Sequence, residues 1–273
     1  MSIQYRGSGI SLNYTKKSDP LADDFELHVH RQYEVLCFVS GNVSYLVEGR
    51  EYELHSGCIM IMRPAELHKL VVKGRGEYER FVFHFDGEIV GKMGMTDGML
   101  SAFNNRELGE KNRYLAAELG GFDAVGFFKQ LFEECSADNP EQTILANLGC
   151  LLSAIRYAFL KNDSADTLPA DGFGRELIAY VNENLTEPIS LRSVSEHTHM
   201  SPSQVNRIFK SLTGTSVYDY VLSKRLIMAR ELIAKGEGAV SASQKCGFGD
   251  YSSFYRLYKK RIGRAPTENK RRE

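Results

Sequence analysis

The chain has 273 residues, of which 42% are hydrophobic and 11% aromatic, with 34 Lys and Arg against 35 Asp and Glu. That length and composition predict one large or two ordinary globular domains and exclude a disordered or collagen-like chain. Because there is no run of about 18 apolar residues and no apolar segment at the N-terminus, we expect neither a membrane span nor a secretory signal. The five cysteines are scattered without CxxC spacing, which predicts reduced thiols and a cytoplasmic protein.

The net charge of −1 hides an asymmetry along the chain. Residues 161–172 form a polar segment without hydrophobic periodicity, which predicts a linker. Residues 1–172 contain 17 basic and 25 acidic residues, a net charge of −8, whereas residues 173–273 contain 17 and 10, a net charge of +7. The basic C-terminal part favours a polyanionic partner, although a charge that only maintains solubility explains the count equally well.

The first half of the chain has the pattern of a β-protein. Short alternating segments over residues 25–85 predict six or seven strands, a number and spacing typical of a sandwich or a small barrel. We expect hairpin turns at Ser40–Asn42 and Glu48–Glu51. The clearest strands are Val43–Val47, Ile59–Met62 and Phe81–Phe85.

After Asp86 the apolar residues recur at three- and four-residue steps, which predicts two amphipathic helices. The two stripes are Phe127, Phe128, Leu131 and Phe132, then Ile144, Leu148, Leu151, Ile155 and Phe159. They require a partner, which could be the barrel, each other or a second copy of the chain. Because the stripes are too apolar to remain exposed, we expect dimerisation through them, with Leu148 and Leu151 in the interface.

A group of polar residues within the strands points to a ligand pocket. His28, His30, Glu34 and Gly41 resemble the first motif of the cupin superfamily, and Gly57, Pro64 and His68 resemble its second motif. Residues two apart share a face of a strand, so we expect His28 and His30 to project together into the mouth of the barrel.

With Glu34 and His68, these histidines could complete a metal-binding set. The second motif is altered, however, because Glu66 replaces the usual glycine and one residue before His68 is missing. We therefore predict a site that holds no metal or holds it weakly, and no cofactor. The same side chains, together with Tyr45 and His84, are then expected to bind an organic effector, or to survive only as scaffold.

The last hundred residues predict short helices with clear capping signals. A helix over 174–184 is followed by a short helix over 191–197. After a tight turn, Ser201 and Pro202 start a third helix that ends at Gly214. Two short helices around a tight turn, the second polar and basic on its outer face, are typical of a helix-turn-helix.

The same plan then repeats. A long helix over 217–234 leads to a weak short helix near 240–245, the turn Cys246–Asp250 and a second recognition-type helix over about 251–261. The sequence therefore predicts two helix-turn-helix units joined by one stiff helix.

Three collinear segments of this region are SPSQVNRIFKSLTG (Ser201–Gly214), KRLIMARELI (Lys224–Ile233) and GFGDYSSFYRLYKKRIG (Gly247–Gly263). They resemble the DNA-binding domain of the AraC/XylS family of bacterial transcription regulators. The resemblance extends over nearly the whole chain, since a cupin-like barrel followed by two helices is similar to the family's sensor domain. It implies an α+β protein with a barrel (1–90), a helical dimerisation region (91–162), a linker (163–172) and an all-α double helix-turn-helix domain (173–273).

The resemblance also implies which residues contact DNA. Seven residues are expected to contact the edges of bases. They are Ser203, Asn206 and Arg207 in one major groove, and Tyr251, Ser252, Tyr255 and Arg256 in the next. Lys210, Lys259 and Lys260 are expected at phosphates, which set affinity without reading sequence. The linking helix is expected to hold both recognition helices on one face of the DNA, about 34 Å apart.

The function implied is that of a cytoplasmic, homodimeric transcriptional activator, not an enzyme, with promoter DNA and RNA polymerase as partners. A carbohydrate is the first expectation for the effector, since the family often regulates sugar utilisation. Two alternatives remain: a metal-dependent cupin enzyme with an appended interaction module, and a DNA binder whose barrel is only a dimerisation scaffold.

Overall fold

The computed structural model describes residues 2–21, 25, 28–135, 140–161 and 172–267. The chain divides into two compact units. Unit 1 covers residues 1–168 except 29–31, which group with residues 169–273 in unit 2. The expected linker at 163–172 lies outside the described residues apart from Gly172.

Unit 1 is built on two antiparallel sheets. In its described part, the larger sheet has the strand order β1-β2-β8-β3-β6-β9 and the smaller sheet the order β5-β4-β7. The strands are β1 (Ser2–Arg6), β2 (Ile10–Ser18), β3 (Tyr33–Ser40), β4 (Val43–Val47), β5 (Arg50–Glu53), β6 (Ile59–Met62), β7 (His68–Val72), β8 (Glu77–Phe85) and β9 (Arg113–Tyr114). The predicted barrel is confirmed, and β1, β2 and β9 lie outside the segment for which strands were predicted.

One of the two predicted hairpins is confirmed. Glu48 and Gly49 join β4 to β5 with φ angles of 47° and 83°, as a tight hairpin turn requires. The turn at Ser40–Asn42 instead joins β3 to β4, which belong to different sheets, so the predicted hairpin there is wrong. A Ser-Gly-Asn sequence specifies a turn but not the partner of the next strand.

The larger sheet is buried on both faces. Alternate residues of a strand point to opposite sides, so Leu36 and Phe38 of β3 belong to the apolar interior between the two sheets. Val35 and Cys37 of the same strand belong to a second core, which contains the helices that follow the barrel.

Those helices are α1 (Glu88–Lys92), α2 (Ser101–Asn104), α3 (Ala124–Glu134) and α4 (Pro140–Lys161). By length and composition α4 could cross a membrane. Its apolar stripe, however, is buried in the core on the outer face of the larger sheet, where Leu148 and Leu151 are both 0% exposed. The expectation that these leucines form a dimer interface is therefore wrong, because the partner of the stripe is the sheet.

Unit 2 is helical, and the helices predicted there are confirmed within three residues at each end. They are α5 (Gly172–Glu183), α6 (Leu191–Thr198), α7 (Pro202–Thr213), α8 (Val217–Ala234), α9 (Ala239–Lys245) and α10 (Tyr251–Ile262). Helices α6 and α7 form the first helix-turn-helix unit, α9 and α10 form the second, and α8 joins them.

Candidate functional site

Helices α7 and α10 begin and end in equivalent ways. Ser201 caps α7 by accepting a hydrogen bond from the backbone of Gln204, and Asp250 caps α10 by accepting from two backbone N–H groups. Gly214 and Gly263 end the two helices with φ angles of 79° and 82°, a conformation that favours glycine. The caps and the terminating glycines are both separated by 49 residues, so α10 repeats α7 position by position.

The repeat extends to the faces of the two helices. Val205 and Phe209 of α7 are fully buried, as are Phe254 and Tyr258 at the equivalent positions of α10. Five exposed positions of α7 have exposed counterparts in α10, each 49 residues further along the chain. They are Ser203, Gln204, Arg207, Lys210 and Ser211 in α7, and Ser252, Ser253, Arg256, Lys259 and Lys260 in α10.

Three of the predicted base readers are less accessible than the others. Asn206 is half-buried, and its Oδ1 accepts a 3.4 Å hydrogen bond from the backbone of Val217 at the start of α8. Tyr251 and Tyr255 are also half-buried, and the ring of Tyr251 packs 5.8 Å from that of Phe254. The structure thus gives these side chains a role in packing that helical spacing alone did not reveal.

Three of these exposed residues, Gln204, Ser211 and Ser253, were not predicted. Gln204 accepts hydrogen bonds from the backbone and hydroxyl of Ser201, and Ser253 lies beside Arg256 at 3.4 Å. The Ser-x-x-Gln capping box is a signal that could have found Gln204. The 49-residue repeat would then have added Ser253.

Arg225, in the middle of α8, connects the two helix-turn-helix units. Its guanidinium donates hydrogen bonds to the carbonyls of Leu185 and Glu187, both at 2.6 Å, and to that of Gly247 at 2.5 Å. A Cβ atom at Gly247 would lie 2.5 Å from the carbonyl oxygen of Thr186, so glycine is required there. One buried side chain therefore fixes the loop before α6 and the turn before α10.

In unit 1, Glu34 lies at the centre of the predicted pocket. Its carboxylate accepts a hydrogen bond from the Tyr45 hydroxyl at 3.3 Å, lies 2.9 Å from Nε2 of His84 and lies 3.5 Å from Nε2 of His68. One ligand atom each of His28, His30, Glu34 and His68 lie within 4.8 Å of one another. The structure thus brings together all six side chains predicted for the pocket.

A loop, not a strand, delivers the two N-terminal histidines. His28 forms an isolated bridge with His68 through two backbone hydrogen bonds of 3.1 Å, and residues 29–31 precede β3. The prediction that His28 and His30 share the face of one strand is therefore wrong, although the two side chains do meet.

The altered second motif has a structural explanation. Glu66 is fully buried and forms a bidentate pair with Arg106, both contacts at 2.6 Å. Burial alone would raise the pKa of Glu66, but the charge and hydrogen bonds of Arg106 lower it to about 2. The Glu66 carbonyl accepts a 2.7 Å hydrogen bond from Nδ1 of His68, so the turn still directs His68 toward Glu34. No sequence signal joined Glu66 to Arg106, 40 residues away.

The electrostatics of the barrel interior are dominated by Glu34. Burial would lower the pKa of His68, yet the carboxylate of Glu34 raises it above its ordinary value. Burial, together with the same carboxylate, raises the pKa of Tyr45 well above its ordinary value. Tyr78 and Arg80 also interact electrostatically with Glu34 and were not predicted, although β8 places Arg80 on the same face as His84.

Models of two protein families match the chain. An AraC-like ligand binding domain matches residues 18–178, more than half of the sequence, and a helix-turn-helix domain matches residues 194–272. The chain belongs to the AraC/XylS family of transcriptional regulators. It is thus a DNA-binding regulator with an N-terminal ligand-binding domain.

Curated proteins similar to this chain include transcriptional regulators. The HTH-type transcriptional activator RhaS of Escherichia fergusonii is 23% identical over 259 residues, 89% of this chain and 87% of that protein. The probable transcriptional regulator LumQ of Photobacterium leiognathi is 36% identical over 89 residues, 32% of this chain and only 36% of LumQ. Among solved structures, ToxT of Vibrio cholerae is 14% identical with a TM-score of 0.41, and the match covers 96% of this chain and 97% of ToxT.

Proposed function

We propose that the protein reads a specific promoter sequence with two equivalent helix faces, α7 and α10. The observation that supports this proposal is the 49-residue repeat of exposed Ser, Arg and Lys side chains on the two helices. Arginine can donate two hydrogen bonds to guanine in the major groove, which discriminates by about 1–3 kcal/mol per base pair. Arg207 and Arg256 are therefore the principal readers, with Ser203 and Ser252 one turn before them.

The remaining polar residues divide by their place along each helix. Lys210, Lys259 and Lys260 lie nearer the C-terminal ends, where they contact phosphates and contribute affinity that depends on salt. Base contacts by the half-buried Asn206, Tyr251 and Tyr255 stay predictions.

Equivalent reading faces predict related DNA half-elements. Because Ser203 and Arg207 correspond to Ser252 and Arg256, the two major-groove segments should each carry a guanine opposite the arginine. Arg225 of α8 forms hydrogen bonds with backbone carbonyls on the side of each helix-turn-helix unit. These bonds favour a fixed distance between the two major-groove segments, about one helical turn of DNA.

Dimerisation is proposed through the outer face of α4, opposite its buried stripe. The exposed residues there recur with alternating steps of four and three, which is the spacing of a coiled-coil seam. Small side chains in the first half of this seam allow two helices to approach closely. The seam consists of Ala146, Cys150, Ser153, Tyr157 and Leu160, of which Tyr157 is 49% and Leu160 58% exposed.

The polar cluster around Glu34 is proposed as the effector site of unit 1, because it is the place where titratable side chains converge inside the barrel. The carbohydrate expected from the family resemblance stays a prediction. A regulator of this kind acts in the cytoplasm, where it meets promoter DNA, and we propose RNA polymerase as its protein partner.

The test is selection of binding sites by the full chain from randomised duplex DNA, followed by sequencing of the bound pool. We expect two guanine-containing elements in the same orientation, about 10.5 base pairs apart. The Arg256→Ala variant should lose the preference in one element only, while Arg192→Ala, on the exposed face of α6, should leave both unchanged. Enrichment of no sequence at low salt would contradict the proposed function.

A further inference from the structure

An open groove lies between α8 and α10 of unit 2, with a volume of about 320 Å³. Leu222 of α8, Phe248 of the turn before α10 and Leu257 of α10 line this groove, and all three are half-buried. Tyr218, near the start of α8, also lines it and is 70% exposed. The groove therefore offers an apolar floor and an aromatic side chain that a partner can cover.

The polar side chains of the groove favour an anion. Arg256 and Lys260 of α10 line it, together with Ser253, whose hydroxyl lies 3.4 Å from the Arg256 guanidinium. Among the described residues that line the groove, none is acidic. Asp219, in the first turn of α8, forms an ion pair with Arg261 at 3.2 Å, which reduces its repulsion of an anion. A partner that carries negative charges along an apolar framework thus matches the groove.

A strand of DNA has this chemistry, because its anionic phosphates alternate with deoxyribose rings that have apolar faces. Arg256 connects the groove to DNA, since the same side chain lies on the exposed face of α10 that is proposed to read bases. A helix in the major groove has a sugar–phosphate backbone on each side. With α10 in that position, the backbone on the side of α8 passes over the groove. A protein segment bound there would compete with DNA for Arg256, so DNA is the occupant that agrees with base reading.

We propose that the groove between α8 and α10 binds one sugar–phosphate strand of the promoter, with the Tyr218 hydroxyl donating a hydrogen bond to a phosphate. Tyrosine side chains are among the donors to DNA phosphates, and such contacts fix the orientation of a protein without reading sequence. Helix α8 is then an element that contacts DNA as well as a connector. The inference rests on the proposed function, because it requires α10 to enter the major groove.

The first test is Tyr218→Phe in the full chain, which removes only a hydroxyl at an exposed position and should leave the melting temperature unchanged. We expect binding to selected and random duplexes to weaken alike, by about tenfold, because a hydrogen bond to a charged group is lost. The log–log salt slope should stay that of the wild type, since tyrosine is uncharged, whereas Lys260→Ala should reduce it by about one. Tyr180→Phe is the control, at a half-buried tyrosine whose ring stacks 3.7 Å from that of His197, and should not change either affinity.

The second test uses fluorescence. The chain contains no tryptophan, so Tyr218→Trp places a single reporter in the groove. Saturating duplex DNA should shift the emission of this tryptophan and protect it from quenching by acrylamide. Leu21→Trp, at a leucine of unit 1 that is 69% exposed, is the control and should respond to acrylamide equally with and without DNA.

The outcomes separate this proposal from the proposed function. Equal affinities of Tyr218→Phe and the wild type would overturn the hydrogen bond from Tyr218. A Tyr218→Trp chain that stays open to acrylamide when saturated with DNA would overturn the groove as a DNA site and leave it to another partner, such as an acidic protein segment. Both results leave base reading intact if the wild type selects a specific sequence. Selection of no sequence, with Tyr218→Trp protected by random duplexes, would overturn base reading but support the contact with the DNA strand.

Discussion

The guanidinium of Arg225 lies 2.5 Å from the carbonyl oxygen of Gly247, the residue that turns the chain toward α10. Its other nitrogens hold Leu185 and Glu187 in the loop before α6. A single side chain on α8 thus connects both helix-turn-helix units, and the spacing of α7 and α10 depends on more than the stiffness of the helix between them.

Arg225→Lys keeps the charge but cannot reach three carbonyls. We expect it to destabilise unit 2 by about 2–4 kcal/mol, because hydrogen bonds from a charged group to three partly buried carbonyls are lost. Urea denaturation followed by hydrogen exchange would locate the loss in peptides of α5–α10. The exposed Arg192→Lys, at the surface pair with Glu196, is the control and should change stability by less than about 0.5 kcal/mol. Equal stability of the two variants would show that the hydrogen bonds of Arg225 do not stabilise unit 2.

Arg106→Met leaves the Glu66 carboxylate buried without its partner. Unit 1 should lose about 3–5 kcal/mol, since an uncompensated buried charge is costly. The double variant Glu66→Gln/Arg106→Met removes the charge as well and should recover part of this loss. The measurement is urea denaturation of the full chain with hydrogen exchange read out on β6 and β7. A single variant as stable as the wild type would show that the pair does not support the His68 turn.

Leu160→Glu places a charge in the proposed seam on α4. We expect the full chain to change from dimer to monomer in sedimentation while unit 1 keeps its stability, because Leu160 is 58% exposed. Leu21→Glu changes a leucine outside the seam that is even more exposed, at 69%, and should leave the dimer intact. Leu148→Glu, by contrast, should unfold unit 1. A wild-type chain that is monomeric at high micromolar concentration would reject the seam.

Sequence reasoning succeeded where the determining interactions are local. Ser201, Pro202 and Gly214 specify the ends of α7 within a few residues of one another, so its limits could be predicted. It failed where a residue packs against a segment that is distant in the sequence. Leu148 was recognised as apolar, but its burial against the outer face of the sheet depends on β3 and β8 being covered on both sides.

In the barrel site, too, some features could be predicted from the sequence and others, which depend on distant residues, could not. His28, Glu34 and His68 were identified as one group from their resemblance to known motifs, and they do meet. The partner of Glu66 was not predictable, because Arg106 follows it by 40 residues and lies outside any recurring pattern. The sequence alone therefore predicts that Glu66 in place of the usual glycine weakens the motif, whereas in the structure the Glu66 carbonyl supports the position of His68.

The most direct test of a base-reading regulator is the ratio of affinities for selected and random DNA, measured with the full chain by fluorescence anisotropy at several salt concentrations. Arg207→Ala should weaken binding to the selected site by about 1–3 kcal/mol with little effect on random DNA, so the ratio falls. Lys210→Ala, three residues along the same exposed face, should weaken both alike and reduce the log–log salt slope by about one. If Arg207→Ala left the ratio unchanged, the assignment of α7 as a reading helix would be contradicted.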